Sequence, residues 1–190
     1  MRVGVLGGSF DPIHNAHLIL AHSAREQLLL DEVRFVVAGE QPLKLGRHHA
    51  SARARAEMVE LAIASIEGFV VDRREVERAG PSYMADTLRD MLAETSGAEF
   101  VLLLGADAAA GFSTWHEPET IRSLARIAVC ARGSEPPPGG FDLTVQMPWL
   151  ELSSTAVRSR AAAGKSLIGW VPERVSDYIS GLRLYRSDAG

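Results

Sequence analysis

The sequence predicts an α/β protein, a single domain in which a mainly parallel sheet carries helices on both faces. Three observations lead there. Short apolar runs alternate with stretches of helical periodicity along the chain, the pattern of parallel strands joined by crossover helices. The 190 residues, 46% of them hydrophobic, can bury one full core, and no linker long enough to divide the chain and no internal repeat interrupts them. The first apolar run passes through two glycines directly into a helix start, the strand–turn–helix junction from which such sheets are built.

In chain order, Val3 to Leu6 form the first strand, Gly7 and Gly8 the tight turn after it, and Leu18, Leu20, Ala21, Ala24 and Leu28 mark a helix over Ala16 to Leu30. Strands are expected at Val33 to Val37, Phe69 to Val71, Phe100 to Leu104 and Ile127 to Ala131, with helices over Ala52 to Ser65 and Tyr83 to Glu94 between them. The stretch Gly133 to Gly140, with three consecutive prolines, reads as a loop, a plain connector in preference to a mobile lid, and Thr144 to Met147 as a last short strand. Ser153 then caps a new helix with its hydroxyl and opens a helical C-terminal segment over about 153–185. Right-handed crossovers place the C-terminal ends of parallel strands on one sheet edge, so Gly7 to His17 and Gly105 to Asp107 are expected to face one crevice.

Composition excludes several classes of function. The net charge of −4 argues against a broad nucleic-acid-binding face, which is usually basic, although a nucleotide pocket needs only a few local cations. No apolar run approaches the roughly 18 residues that span a bilayer, and no basic leader with a cleavage site precedes the first strand, so the reading is a cytoplasmic protein with no membrane partner. Cys130 is the only cysteine, which excludes an internal disulfide and a cysteine zinc cluster; within Ile127 to Ala131 it reads as a buried strand residue. Oligomeric state leaves no signal in the sequence.

Gly7-Gly8-Ser9-Phe10-Asp11-Pro12-Ile13-His14-Asn15-Ala16-His17-Leu18 is the most informative segment. His14 and His17, three residues apart in a first helical turn, share a face beside unbonded backbone N–H groups and the positive end of the helix dipole, where an anion meets several donors at once. Exposed helix-start histidines and a metal site are the competing readings. Two histidines that chelate zinc from one helix usually stand at i and i+4, and the loop matches neither the G-x-x-x-x-G-K-[ST] nor the G-x-G-x-x-G phosphate pattern. Ser153-Ser154-Thr155 with Arg158 repeats the arrangement at a second helix: N-terminal N–H groups, hydroxyls, and a guanidinium one turn later.

The first segment resembles the signature of the nucleotidyltransferase superfamily with the His-x-Gly-His-type motif, and Leu152-Ser153-Ser154-Thr155-Ala156-Val157-Arg158 resembles that superfamily's second motif. Within it, Gly80-Pro81-Ser82-Tyr83 with Asp86-Thr87-Leu88, Leu104-Gly105-Ala106-Asp107-Ala108, Trp115-His116, Val171-Pro172-Glu173-Arg174-Val175, Tyr178-Ile179 and Gly181-Leu182 with Leu184-Tyr185 resemble the bacterial nicotinate-nucleotide adenylyltransferases over nearly the whole chain. The resemblance implies a Rossmann-like nucleotidyltransferase domain over 1–190 and transfer of AMP from ATP to nicotinate mononucleotide, giving deamido-NAD and pyrophosphate. Phosphopantetheine adenylyltransferases share the first motif and a similar Ser-Ser motif but lack the Pro-Ser-Tyr, Gly-x-Asp and Trp-His combination. A non-catalytic nucleotide-binding protein of the same fold would be expected to have lost His17 or Arg158, and both are present.

By that resemblance His17, with His14 and Arg158, carries the catalysis. Gly7, Gly8, Ser9, Phe10, Lys44, Ser153, Ser154 and Thr155 hold the ATP phosphates, and Gly105 and Asp107 the ribose. Ser82, Tyr83, Met84, Trp115 and His116 surround the nicotinate, with Trp115 stacked on the pyridine. No carboxylate pair suits a two-metal site, so Mg²⁺ is expected to arrive chelated by ATP, with no dedicated protein site. Arg53 and Arg55 read as a solvated helix face. Two residues depart from the family pattern: Ala16 stands where glycine is usual between the histidines, and Met84 where threonine usually follows Pro-Ser-Tyr and is associated with the nicotinate carboxylate.

Overall fold

A computed structural model describes residues 1–39, 49–132 and 139–186. Among them one six-stranded sheet runs in the order β3-β2-β1-β4-β5-β6: β1 (Arg2–Gly8), β2 (Glu32–Val37), β3 (Phe69–Asp72), β4 (Glu99–Gly105), β5 (Arg126–Arg132) and β6 (Leu143–Met147). Every neighbouring pair is parallel, so the expected mainly parallel sheet is wholly parallel among the described residues. The order reverses between β1 and β4, and the crevice at that switch lies where Gly7, Gly8 and Gly105 end their strands.

Two apolar layers cover the sheet, one on each face. On one face, α1 (Asn15–Gln27), α2 (Ala52–Ile63), α7 (Ser154–Ala162) and α8 (Glu173–Gly181) contribute Leu20, Ala24, Met58, Val59, Val157 and Val175 to a core with Leu6, Phe35 and Val37. On the other, α4 (Met84–Glu94), α5 (Ala106–Ala110) and α6 (Pro118–Leu124) bring Leu88, Met91, Ala109 and Ile121 against Val3, Val5, Leu102 and Val129. The remaining helix, α3 (Arg74–Glu77), is a single turn after β3.

Helix α1 stops three residues before the sequence predicts. Leu28 caps it, Leu29 turns left-handed at φ 51°, and the N–H of Leu30 reaches back to the carbonyl of Arg25 at 3.0 Å. That closure buries Leu28 and Leu30 and turns Leu29 out, 80% exposed, so the three-leucine run is a helix exit rather than a last turn.

Cys130 is fully buried in β5, and burial pushes its thiol up to about 12, the structural cysteine expected. A thiol reagent should leave native protein unlabelled and react with one equivalent after denaturation. Labelling of the native state at a comparable rate would show that this strand opens readily.

Candidate functional site

The loop that leaves β1 turns inward before α1 begins. Phe10 takes φ 47° and drops its ring into the core, 2% exposed, edge-on to His17 at 5.1 Å between centroids. The side chain of Phe10 therefore serves the core, and only its backbone is left to the loop's outer side. The same ring crowds Gly8, where a Cβ would stand 3.1 Å from Phe10 Cζ.

His14 caps α1 in extended conformation and His17 occupies the third position of the helix, with the two rings stacked at 3.7 Å and 22°. The His14 backbone N–H donates to His17 Nδ1 at 3.2 Å. A nitrogen that accepts a hydrogen bond carries no proton, so neutral His17 holds its proton on Nε2 and presents that nitrogen as a donor. Phe10 fixes the plane in which it does so.

The second motif meets this loop directly. Ser153 caps α7, its hydroxyl accepting the Ala156 N–H at 3.2 Å. The Ser154 hydroxyl donates to the Pro12 carbonyl at 2.9 Å, and Arg158 donates to the Asp11 carbonyl at 2.8 Å and to Thr155 Oγ1 at 3.1 Å. The N-termini of α1 and α7 are thus tied to one short loop, by a bond that spans 142 positions of sequence between Pro12 and Ser154.

Two buried groups and one half-buried, to which the sequence reading assigned no role, hold the loop in place. Asp11, 4% exposed, accepts the N–H groups of His49 and Ala50 at 2.8 and 3.2 Å and the hydroxyl of Tyr185 at 2.8 Å. Burial, reinforced by the adjacent Asp11, pushes the Tyr185 phenol well above its usual range, so it stays a donor. Arg55 corrects an expectation: only 1% exposed, it donates to the carbonyls of Ser9 at 2.6 Å and Gly39 at 3.1 Å. Burial lowers its pKa while Asp11 and then Tyr185 oppose the shift. The signal was present, because Arg55 shares a helical stripe with the buried Val59 and Ala62. Arg53 is exposed, as expected.

The residues expected around a nicotinate gather at α4 and the segment before α6. Tyr83 caps α4 and its ring stacks on His116 at 4.1 Å and 30°. Trp115 is half-buried, its ring 5.5 Å from that of the buried Phe112. Ser82 accepts the Gly39 N–H at 3.0 Å, which ties this segment to the end of β2. Met84 reaches the phosphate loop itself, its Cε lying 2.6 Å from where a Cβ on Gly7 would be. Asp107 stands exposed in the first turn of α5, just beyond Gly105 at the end of β4. Lys44 and His48 lie outside the described residues, as does most of the 133–140 connector. Among the described residues, no cluster of three or more His, Cys, Asp or Glu is placed to hold a metal, and no helix is long and apolar enough to cross a membrane.

A parallel sheet of this order, with two helix N-termini and two stacked histidines at the start of α1 beside its switch point, forms a crevice suited to an anionic ligand. The model of the cytidylyltransferase-like family matches residues 5–160, and the chain belongs to that family. A relative from Chromobacterium violaceum named probable nicotinate-nucleotide adenylyltransferase is 40% identical over 209 residues, covering 97% of this chain and 99% of its own. A relative of the same name from Thermus thermophilus is 43% identical over 190 residues, covering 98% of this chain and 100% of its own. Among solved structures, the Plasmodium falciparum nicotinic acid mononucleotide adenylyltransferase complexed with NaAD superposes with a TM-score of 0.78 at 18% identity, covering 97% of each chain, a likeness of fold.

Proposed function

We propose that this chain moves AMP from ATP to nicotinate mononucleotide, forming deamido-NAD and pyrophosphate in NAD biosynthesis. The observation that carries this reading is full-length similarity, about 40% identical, to relatives of that name, in a chain whose two phosphate motifs converge on one loop. In the transfer, a phosphate oxygen of the mononucleotide attacks the α-phosphorus of ATP in line, the bond to the bridging oxygen breaks, and pyrophosphate leaves. The protein supplies position and charge rather than a covalent nucleophile.

In this reading, backbone N–H groups over Gly7, Gly8, Ser9 and Phe10 receive the phosphates, with Lys44 as a further ligand. His17 donates Nε2–H to the α-phosphate as charge grows on it, and His14 orients His17 through its backbone N–H and its stacked ring. The N-terminus of α7, with Ser153, Ser154, Thr155 and Arg158, grips the β- and γ-phosphates and holds pyrophosphate as it leaves. Gly105 and Asp107 take the ribose. Ser82, Tyr83, Met84, Trp115 and His116 enclose the nicotinate. The nucleotide substrate carries a divalent cation, Mg²⁺ in our reading, coordinated by its phosphates and water.

The deciding assay is pyrophosphate release from ATP with nicotinate mononucleotide, nicotinamide mononucleotide and phosphopantetheine side by side. The acid mononucleotide should be the best acceptor; preference for phosphopantetheine, or no release with any acceptor, would overturn the reading. Trp115→Ala should raise KM for the mononucleotide about tenfold, because base stacking on an aromatic ring is worth about 1 to 3 kcal/mol, with KM for ATP little changed. A melting curve accompanies that measurement, since Trp115 also packs on Phe112. Equal rises in both KM values would assign the ring to the core alone.

A further inference from the structure

We propose that Glu75, which the chemistry above does not use, is a positioning residue for the acceptor half of the site, fixing where the segment Ser82–Tyr83–Met84 stands. The proposal rests on the assignment of that segment to the mononucleotide.

Glu75 lies in the single turn α3 and is 4% exposed. The hydroxyl of Thr87, itself fully buried on α4, donates to Glu75 Oε1 at 2.6 Å. The Ser82 hydroxyl, which accepts the Gly39 N–H at 3.0 Å, acts on the same carboxyl to favour its charged form. One carboxyl therefore holds α4 through Thr87, at the end of its first helical turn, while Ser82, the residue before the cap, is held by Gly39 beside it. Gly39 completes the joint, since a Cβ there would lie 2.1 Å from the Glu75 carbonyl oxygen, so no side chain can separate α3 from the end of β2. Gly39 in turn accepts Arg55, which also holds Ser9. An unbroken line of hydrogen bonds runs from the acceptor segment to the phosphate loop.

Stability alone gives little reason for a carboxyl here. The neighbouring cations are engaged elsewhere, Arg74 with Asp72 and Glu94, and Arg78 with Asp90. Burial pushes the Glu75 carboxyl above its usual range, against the pull of the two hydroxyls and of Arg78, with Asp72 adding to the rise. A buried ionisable group held mainly by neutral donors is costly, and an apolar side chain of similar size would fill the space more cheaply. What an apolar side chain would lack is an acceptor for the fully buried Thr87 hydroxyl.

The test compares wild type with Glu75→Leu, Glu75→Gln and Thr87→Val in steady-state kinetics for both substrates, with a melting curve for each. Glu75→Leu should raise KM for nicotinate mononucleotide at least tenfold while KM for ATP stays within twofold. Glu75→Gln, which keeps an acceptor oxygen, should stay within threefold of wild type, and Thr87→Val should raise the mononucleotide KM threefold or more. If Glu75→Leu does not fold, the other two variants decide. KM values that rise together for both substrates, a fall in kcat alone, or wild-type kinetics in Thr87→Val would reduce Glu75 to a structural residue. Wild-type protein that fails to use nicotinate mononucleotide would instead remove the acceptor assignment, and this proposal with it.

Discussion

His17→Ala is expected to lower kcat by about 100-fold or more, roughly 2.7 kcal/mol, with KM for ATP changed by only a few-fold. The asymmetry follows from the geometry. With Nδ1 accepting the His14 N–H and the ring braced against Phe10, the Nε2 donor is fixed before substrate arrives. A donor held in advance contributes most where charge is greatest, at the α-phosphate in the transition state, and less to ground-state binding. Removing a half-buried ring from a helix start should leave the sheet intact, and circular dichroism with a melting curve would verify that. A variant that kept wild-type kcat would remove His17 from the chemistry, and the stacked histidines would then serve only to cap α1.

Arg158→Ala should chiefly raise KM for ATP, by tenfold or more, because the β- and γ-phosphates carry full charge before the reaction starts. A hydrogen bond to a charged group is worth about 1.5 to 3 kcal/mol, which supports that magnitude. Arg158 also donates to the Asp11 carbonyl, so part of the loss would come from the loop itself. Arg158→Lys separates the two contributions: a point charge can still meet a phosphate but cannot reproduce the fork that spans Asp11 and Thr155. Affinity for pyrophosphate, read as product inhibition, should fall in parallel with that for ATP. Unaltered binding of both would place the second grip elsewhere.

The two segments that meet at the β1–α1 turn stood out in the sequence because each is contiguous. Strand positions were legible too, since each is a short apolar run between turn residues. What escaped has a common physical character. Arg55 was set aside as solvated because charged residues usually are; only its position on the stripe with Val59 and Ala62 betrayed it. Asp11 stood inside the most informative segment, yet its partners His49, Ala50 and Tyr185 come from distant parts of the chain, and long-range pairing leaves no periodic trace. The short helices α3, α5 and α6 span too few residues for a 3.6-residue repeat to emerge. The end of α1 was misread because three successive leucines look helical until the left-handed turn at Leu29 parts them.

The bonds from Arg158 and Tyr185 to Asp11 also bear on how the protein is made. A ribosome releases the glycine loop early and its two anchors late, across sequence separations of 147 and 174 residues. Contacts so far apart form only after the intervening chain has paid its closure entropy, so this loop is among the last parts to be secured. A nascent chain can lay down β1 to β5 and already resemble the finished sheet while Asp11 still lacks both of these anchors. In this architecture the tail closes the loop.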